Sequence, residues 1–119
     1  MTLQKHYTAS ELTKYALREL SFLGYTVWRA NNIAVPGRKF IGKKGMPDII
    51  GYSENGHAVY CEVKTINDKI SEHQMGFLTD AMRSDCLAFI CLQDKDGFVK
   101  LMNWHTFAAS LLKRIQTKV

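Results

Sequence analysis

A carboxylate and an ammonium group stand two positions apart at the end of an apolar run, as Glu62 and Lys64 in residues 59–64. In a β-strand, residues i and i+2 lie on the same face, so both side chains would project toward one place. A second carboxylate, Asp48, follows a Gly-Met-Pro turn and stands directly before the apolar pair Ile49-Ile50. Two carboxylates with a lysine can hold Mg²⁺ or Mn²⁺ and activate a water molecule, which is the chemistry of phosphodiester hydrolysis.

The surrounding elements must bring these residues together. The Ser-Glu-Asn-Gly turn at residues 53–56 would fold the strand after Asp48 back beside the strand that ends at Lys64. Asp48 and Glu62 would then converge. The alternative is that Glu62 and Lys64 form a surface ion pair on a half-exposed strand. The Pro-Asp element upstream favours a shared site.

Five segments in this order resemble the VRR-NUC domain of the PD-(D/E)xK nuclease superfamily, a compact branch akin to Holliday junction resolvases. They are a first helix beginning at Glu11 and residues 24–29, 45–50, 62–65 and 71–74. The resemblance extends from Glu11 to Ile90 and implies one nuclease domain over residues 1–119. It also implies a restriction-endonuclease-like core.

The resemblance assigns roles to individual residues. It implies that Asp48, Glu62 and the backbone carbonyl of Val63 hold the catalytic Mg²⁺ or Mn²⁺ ion. Lys64 would position the attacking water or stabilise the charge that grows on the phosphate oxygens. The family also places a helix-borne glutamate and a helix-borne glutamine beside the metal, which correspond here to Glu11 and Gln74.

Glu11 and Gln74 have a second explanation that the sequence itself supplies. Each stands three residues after a hydroxyl residue, Thr8 or Ser71, in the pattern of a capping box. In that motif the Glu or Gln side chain reaches back to the N-cap amide. Either residue could therefore finish a helix end, and both interpretations stay open.

The net charge of +5 is distributed unevenly along the chain. No acidic residue lies between Glu19 and Asp48, whereas this basic segment contains Arg29, Arg38, Lys39, Lys43 and Lys44. We expect it to bind a nucleic-acid backbone and bring it to the carboxylates, which would otherwise repel it. The alternative is a solvated loop without a partner, in which Arg29 only extends from a sheet edge.

Composition limits the remaining possibilities. The chain has 119 residues, enough for one core, and three cysteines that lack the spacing of zinc or redox sites. Free thiols and the lack of a long apolar run or leader-like N-terminus predict a soluble protein of the reducing cytoplasm.

The hydrophobic pattern predicts an α/β protein with the element order αβββαββα. Helices are expected at residues 10–23, after Ser71 to Arg83, and after Asn103, with strands at residues 25–29, 48–52, 58–64, 87–92 and 98–102. A short strand pair near residues 33–35 and 40–41 is a further expectation. The helix between the third and fourth strands should make them parallel, and the other neighbours should pair as hairpins. The result is a mixed β-sheet flanked by helices, with Leu23, Trp28 and Trp104 in the core.

The leading hypothesis is a metal-dependent endonuclease that acts on structured DNA, including branched or Holliday junctions. Junction cutting requires two sites at a fixed separation, so a homodimer is expected. A catalytically idle DNA-binding module and an RNA-cleaving relative are the alternatives. The residues alone do not distinguish a reader of the 2′-hydroxyl from a DNA-backbone binder.

Overall fold

The secondary structure has the predicted order, in a computed structural model that describes residues 5–30 and 45–117. The described elements are α1 (Ala9–Phe22), β1 (Thr26–Arg29), β2 (Ile49–Tyr52), β3 (Ala58–Lys64), α2 (Glu72–Arg83), β4 (Leu87–Gln93), β5 (Val99–Asn103) and α3 (Trp104–Thr117). Four members of the basic segment, Arg38, Lys39, Lys43 and Lys44, lie outside the described residues. So does the strand pair expected near residues 33–35 and 40–41.

The five described strands form one mixed sheet in the order β1-β2-β3-β4-β5. Strands β3 and β4 are parallel, and the other neighbouring pairs are antiparallel. The parallel pair was predicted because a strand that is followed by a helix normally returns to the sheet in the same direction. The predicted fold class is therefore confirmed.

Helices cover the two faces of this sheet, so the core has two parts, one on each face. On one face, Leu12, Ala16 and Leu20 of α1 pack with the strand residues Ile49, Val59, Cys61, Val63, Phe89 and Cys91. On the other face, Leu78 of α2 and Trp104 of α3 pack with Ala88 and Ile90. Alternation along β3 therefore turns the even-numbered residues, including Glu62, toward the face of α2 and α3.

Two predicted core residues are exposed. Leu23 is 58% exposed because α1 already ends at Phe22, so Leu23 no longer continues the apolar face of the helix. Trp28 is 46% exposed and lies on β1, one of the two edge strands among the described strands, where its ring meets Tyr52 edge-on. Trp104 is buried as predicted.

Both predicted capping boxes are present. Thr8 caps α1 with Glu11 as its partner, and Ser71 caps α2 with Gln74 as its partner. Each helix start is therefore fixed by hydrogen bonds within its own segment. Within the described ranges, no helix is both long and apolar enough to cross a bilayer.

Candidate active site

Asp48 lies where β2 begins, opposite the C-terminal half of β3. Ile49 pairs with Cys61, so the antiparallel register places Asp48 across from Glu62. The Asp48 Oδ2 atom accepts a 2.8 Å hydrogen bond from the backbone N–H of Val63. In an extended strand the N–H and C=O of one residue point the same way, so the Val63 carbonyl also faces the side of Asp48.

Glu62 is a carboxylate inside the protein, with only 2% of its surface exposed. Its Oε1 atom accepts a 3.0 Å hydrogen bond from Nε2 of Gln74. Its Oε2 atom is buried and has no hydrogen-bond partner among the residues that the structure describes. Since a buried polar atom without a partner is costly, this oxygen calls for a proton or a cation.

The electrostatics of Glu62 follow from this placement. Burial, the largest cause, and the neighbouring Asp48 carboxyl, with which Glu62 can share a proton, together raise its pKa to about 9, while the charge of Lys64 works in the opposite direction. Two neighbouring carboxyl groups cannot both stay ionised unless a positive charge compensates them. A proton can satisfy the pair in the metal-free protein, and a hard divalent cation can replace that proton.

Gln74 combines the two interpretations that the sequence left open. Its Oε1 atom accepts a 2.9 Å hydrogen bond from the Ser71 N–H, which completes the capping box of α2. Its Nε2 atom donates to Glu62 at the same time. The two ends of one side-chain amide thus serve the helix start and the candidate site, so Gln74 orients Glu62.

Lys64 lies two residues beyond Glu62 on the same face of β3 and is half-buried. It lines a small hollow together with Ile70, Leu92 and Phe107. Its charge is close enough to lower the pKa of both Glu62 and Asp68. Lys64 is therefore at the rim of the site, where it can reach solvent.

A turn directly after Lys64 is a feature that the sequence interpretation missed. The Asp68 Oδ2 atom accepts hydrogen bonds from the N–H of Thr65 at 3.1 Å and from its hydroxyl at 2.7 Å. The pattern Thr-x-x-Asp was the available signal, since Asp and Thr side chains commonly bond to nearby backbone at turns. The turn fixes the chain just beyond the strand end that carries Lys64.

Glu11 is not brought to this carboxylate pair. Its hydrogen bonds join it to Thr8, it forms a 3.5 Å ion pair with Lys5, and the Thr8 backbone N–H is the main cause of its lowered pKa. Helix α1 covers the opposite face of the sheet from Glu62. Throughout residues 5–30 and 45–117, no three His, Cys, Asp or Glu side chains form a group that could hold a metal. Of the three carboxylates predicted beside the metal, the described structure therefore brings together Asp48 and Glu62.

Arg29 connects the basic segment to the site. It is the exposed last residue of β1, and the following residue, Ala30, donates its N–H to the carbonyl of Asp48 at 2.8 Å. The start of the basic segment therefore lies beside the carboxylates. The nucleic-acid role of Arg29 stays a prediction.

The buried carboxyl predicts an unusual pH dependence of stability in the metal-free protein. The folded protein keeps the Glu62 proton up to about pH 9, whereas the unfolded chain releases it near 4.5. The folded state then holds more protons in this window, so the free energy of unfolding should fall as pH rises, by on the order of 1 kcal/mol per pH unit.

Urea unfolding in EDTA, at several pH values between 5 and 9, would measure this effect. The variant Glu62→Gln cannot titrate but keeps an oxygen that accepts from Gln74. The difference in free energy of unfolding, wild type minus variant, should therefore decrease steadily toward high pH. Parallel curves for the two proteins would contradict the assignment of a buried protonated carboxyl.

Comparisons with known proteins agree with this geometry. Residues 38–95 match the family model of the VRR-NUC domain, a span that includes Asp48, Glu62, Lys64 and Gln74. The resemblance drawn from the sequence is thereby confirmed.

Among solved structures, the chain is similar to Hjc from Archaeoglobus fulgidus, described as a Holliday junction resolvase from an archaeal hyperthermophile. The similarity has a TM-score of 0.53 at 18% sequence identity and covers 81% of this chain and 77% of that chain. At this identity the likeness concerns the fold, a mixed sheet flanked by helices. No curated protein sequence matches the chain.

Proposed function

We propose that this chain, which carries a VRR-NUC domain over residues 38–95, is a metal-dependent endonuclease that hydrolyses phosphodiester bonds in structured DNA. The observation that carries the proposal is the buried Glu62 oxygen without a hydrogen-bond partner, next to the Asp48 carboxyl. A purely structural carboxylate would normally be exposed, paired or fully hydrogen-bonded. A cation bound between the two carboxyl groups would offset the cost of burying this Glu62 oxygen.

The residues of the site suit a hard divalent ion. Asp48, Glu62 and the carbonyl of Val63 offer oxygen donors, which Mg²⁺ and Mn²⁺ prefer over nitrogen or sulfur. When bound, such an ion would acidify a water molecule and neutralise charge on the phosphate. The Val63 N–H holds Asp48 and the Gln74 amide holds Glu62, so both carboxylates are oriented in advance.

Lys64 supplies the positive group at the rim. Its ammonium can hold the attacking water by a hydrogen bond or stabilise the negative charge that develops on the phosphate oxygens. The half-buried position two residues beyond Glu62 on the same face of β3 is compatible with either role.

The substrate is proposed from the relatives and from charge. A structural neighbour described as a Holliday junction resolvase supports branched DNA as the substrate class. The basic segment that begins at Arg29 supports a polyanion, and we propose a homodimer because paired cuts require two sites. Light scattering of the purified protein would measure the oligomeric state.

Cleavage of a labelled substrate panel tests the function. Duplex, flap, splayed-arm and four-way junction DNA, with a matched RNA junction, would be incubated with Mg²⁺, Mn²⁺ or EDTA. We expect cuts in branched DNA that require the metal. Full activity in EDTA would exclude the proposed chemistry, and binding without cleavage under all conditions would favour an idle DNA-binding module.

The basic segment should provide much of the non-specific affinity. Replacing Lys39, Lys43 and Lys44 by Ala should weaken binding to all DNA sequences alike. Each lost phosphate contact reduces the slope of log K against log salt by about one. Fluorescence anisotropy over a salt series would measure the slope, and an unchanged slope would show that these lysines make no phosphate contacts.

Gln74 should affect both stability and rate. Gln74→Ala removes the capping-box partner of Ser71 and the donor to Glu62, so we expect a loss of about 0.5 to 2 kcal/mol of stability and at least about a tenfold slower cleavage. Gln74→Glu keeps a cap acceptor but removes the donor. It should therefore keep the capping-box bond at the α2 start, lose some stability through carboxylate repulsion with Glu62, and still cleave slowly.

Glu11→Ala is the matched control, because Glu11 is the capping-box partner of Thr8 at the start of α1, as Gln74 is of Ser71 in α2. Glu11 has its described contacts with Thr8 and Lys5, so the stability cost should be similar and the effect on rate smaller. Urea unfolding and single-turnover cleavage would be measured for all the variants. Wild-type rates in Gln74→Glu would show that only the cap matters at this position.

A further inference from the structure

The turn that leads into Asp48 touches the start of α2 at Gly45. This glycine has a φ angle of +81°. A Cβ atom at this position would overlap the backbone carbonyl group of His73 and lie 3.0 Å from the backbone nitrogen of Gln74. The obstacle is helix backbone, which cannot move aside as a flexible side chain can.

The contact joins the two halves of the candidate site. Asp48 stands three residues after Gly45, and the buried Pro47 lies between them. Gln74, whose backbone is against Gly45, donates its side-chain amide to Glu62. The closeness of the Gly45 backbone to α2 therefore sets how near the Asp48 turn lies to the residue that orients Glu62.

We propose that Gly45 is a positioning residue of the nuclease reaction: the missing side chain lets the Asp48 turn close against the first turn of α2. The proposal rests on the proposed function for its rate measurements. Any larger residue should separate the turn from the helix. Asp48 and Glu62 would then stay in the fold but lose their mutual placement.

Gly56 provides a control for backbone strain. This glycine, in the turn between β2 and β3, has a φ angle of +84° and open space where a Cβ atom would lie. Gly56→Ala therefore carries the conformational strain of a positive φ without the collision. Gly45→Asn does the reverse, since Asn tolerates the left-handed region better than Ala but still has a Cβ.

The experiment compares Gly45→Ala, Gly45→Asn and Gly56→Ala in the full chain. Thermal melts, single-turnover and steady-state cleavage of the best substrate, and Mn²⁺ titration by calorimetry would be measured for each. We expect both Gly45 variants to lower kcat at least about tenfold with KM changed less than about threefold, and to bind Mn²⁺ more weakly. Gly56→Ala should lose stability but keep wild-type kcat and Mn²⁺ affinity.

A double variant tests the route through Gln74. If Gly45 acts by placing this residue, Gly45→Ala should slow cleavage less in a Gln74→Ala background than in the wild type. Full additivity would place the effect of Gly45 on the Asp48 turn alone, and Gly45 variants that match Gly56→Ala in rate and Mn²⁺ affinity would overturn the proposal. Failure of both Gly45 variants to fold would also overturn it, because Gly45 would then be a requirement of the whole fold.

The proposed function can fail separately. If the wild-type protein cuts no substrate, the Mn²⁺ affinities alone decide the role of Gly45. Weaker binding in both Gly45 variants, but not in Gly56→Ala, would support the positioning role, and equal affinities would overturn it.

Discussion

Asp48→Asn should reduce the cleavage rate at least about a thousandfold, which corresponds to about 4 kcal/mol of activation free energy. The substitution removes the negative charge of Asp48 from the Asp48–Glu62 pair, so a divalent ion loses a charged oxygen donor. The fold should remain, because the Asn side-chain oxygen can still accept the hydrogen bond from Val63. Single-turnover cleavage and Mn²⁺ calorimetry would measure the two losses together.

Asp96→Asn is the matched control for this prediction. It makes the same chemical change on an exposed residue in the turn between β4 and β5. We expect wild-type cleavage and Mn²⁺ affinity from the control. If Asp48→Asn retained a tenth or more of the wild-type rate, Asp48 would not be a metal ligand in the reaction.

Lys64→Met should lower the cleavage rate at least about a hundredfold, in the range expected for loss of a group that acts on water or on phosphate charge. Methionine keeps an apolar stem over Ile70, Leu92 and Phe107, so packing in the hollow should be largely preserved. Because Lys64 is not a proposed ligand, the change in Mn²⁺ affinity should be much smaller than the change in rate.

The ion-pair alternative for Lys64 makes the opposite prediction. If this lysine only balanced the charge of Glu62, Lys64→Met would change stability and the pKa of Glu62 but leave the rate at saturating metal unchanged. Lys69→Met, at an exposed position outside the strand, controls for the loss of one positive charge. Parallel rate and calorimetry measurements separate the two outcomes.

Strong local patterns made most of the fold predictable. Strand β3 has the predicted bounds, Ala58–Lys64, because its apolar run is framed by a turn and a polar segment. The parallel pairing of β3 with β4 follows from the intervening helix. Trp28 was predicted wrongly because its residue type indicates burial, whereas its exposure depends on the place of β1 at an edge of the described strands.

The site was only partly predictable for a related reason. The convergence of Asp48 and Glu62 followed from a turn and two strands, which are near neighbours in sequence. Glu11 and Gln74 carry the same local capping signal, and nothing within either segment indicates which of them meets Glu62. Tertiary packing decides it, because α2 covers the face of β3 that presents Glu62 and α1 covers the other.

Because Gln74 is hydrogen-bonded to both Ser71 and Glu62, fraying of the first turn of α2 is coupled to the occupancy of the site. The capping bond to Ser71 and the bond to Glu62 share one side chain, so a fluctuation that frays the first turn of α2 also releases Glu62. Since such a coupling acts equally in both directions, a ligand that holds Glu62 in place must also reduce the fraying of α2. Amide hydrogen exchange at Ser71 and Gln74 should therefore become slower when the site is filled, so that two backbone protons at the start of α2 report its occupancy.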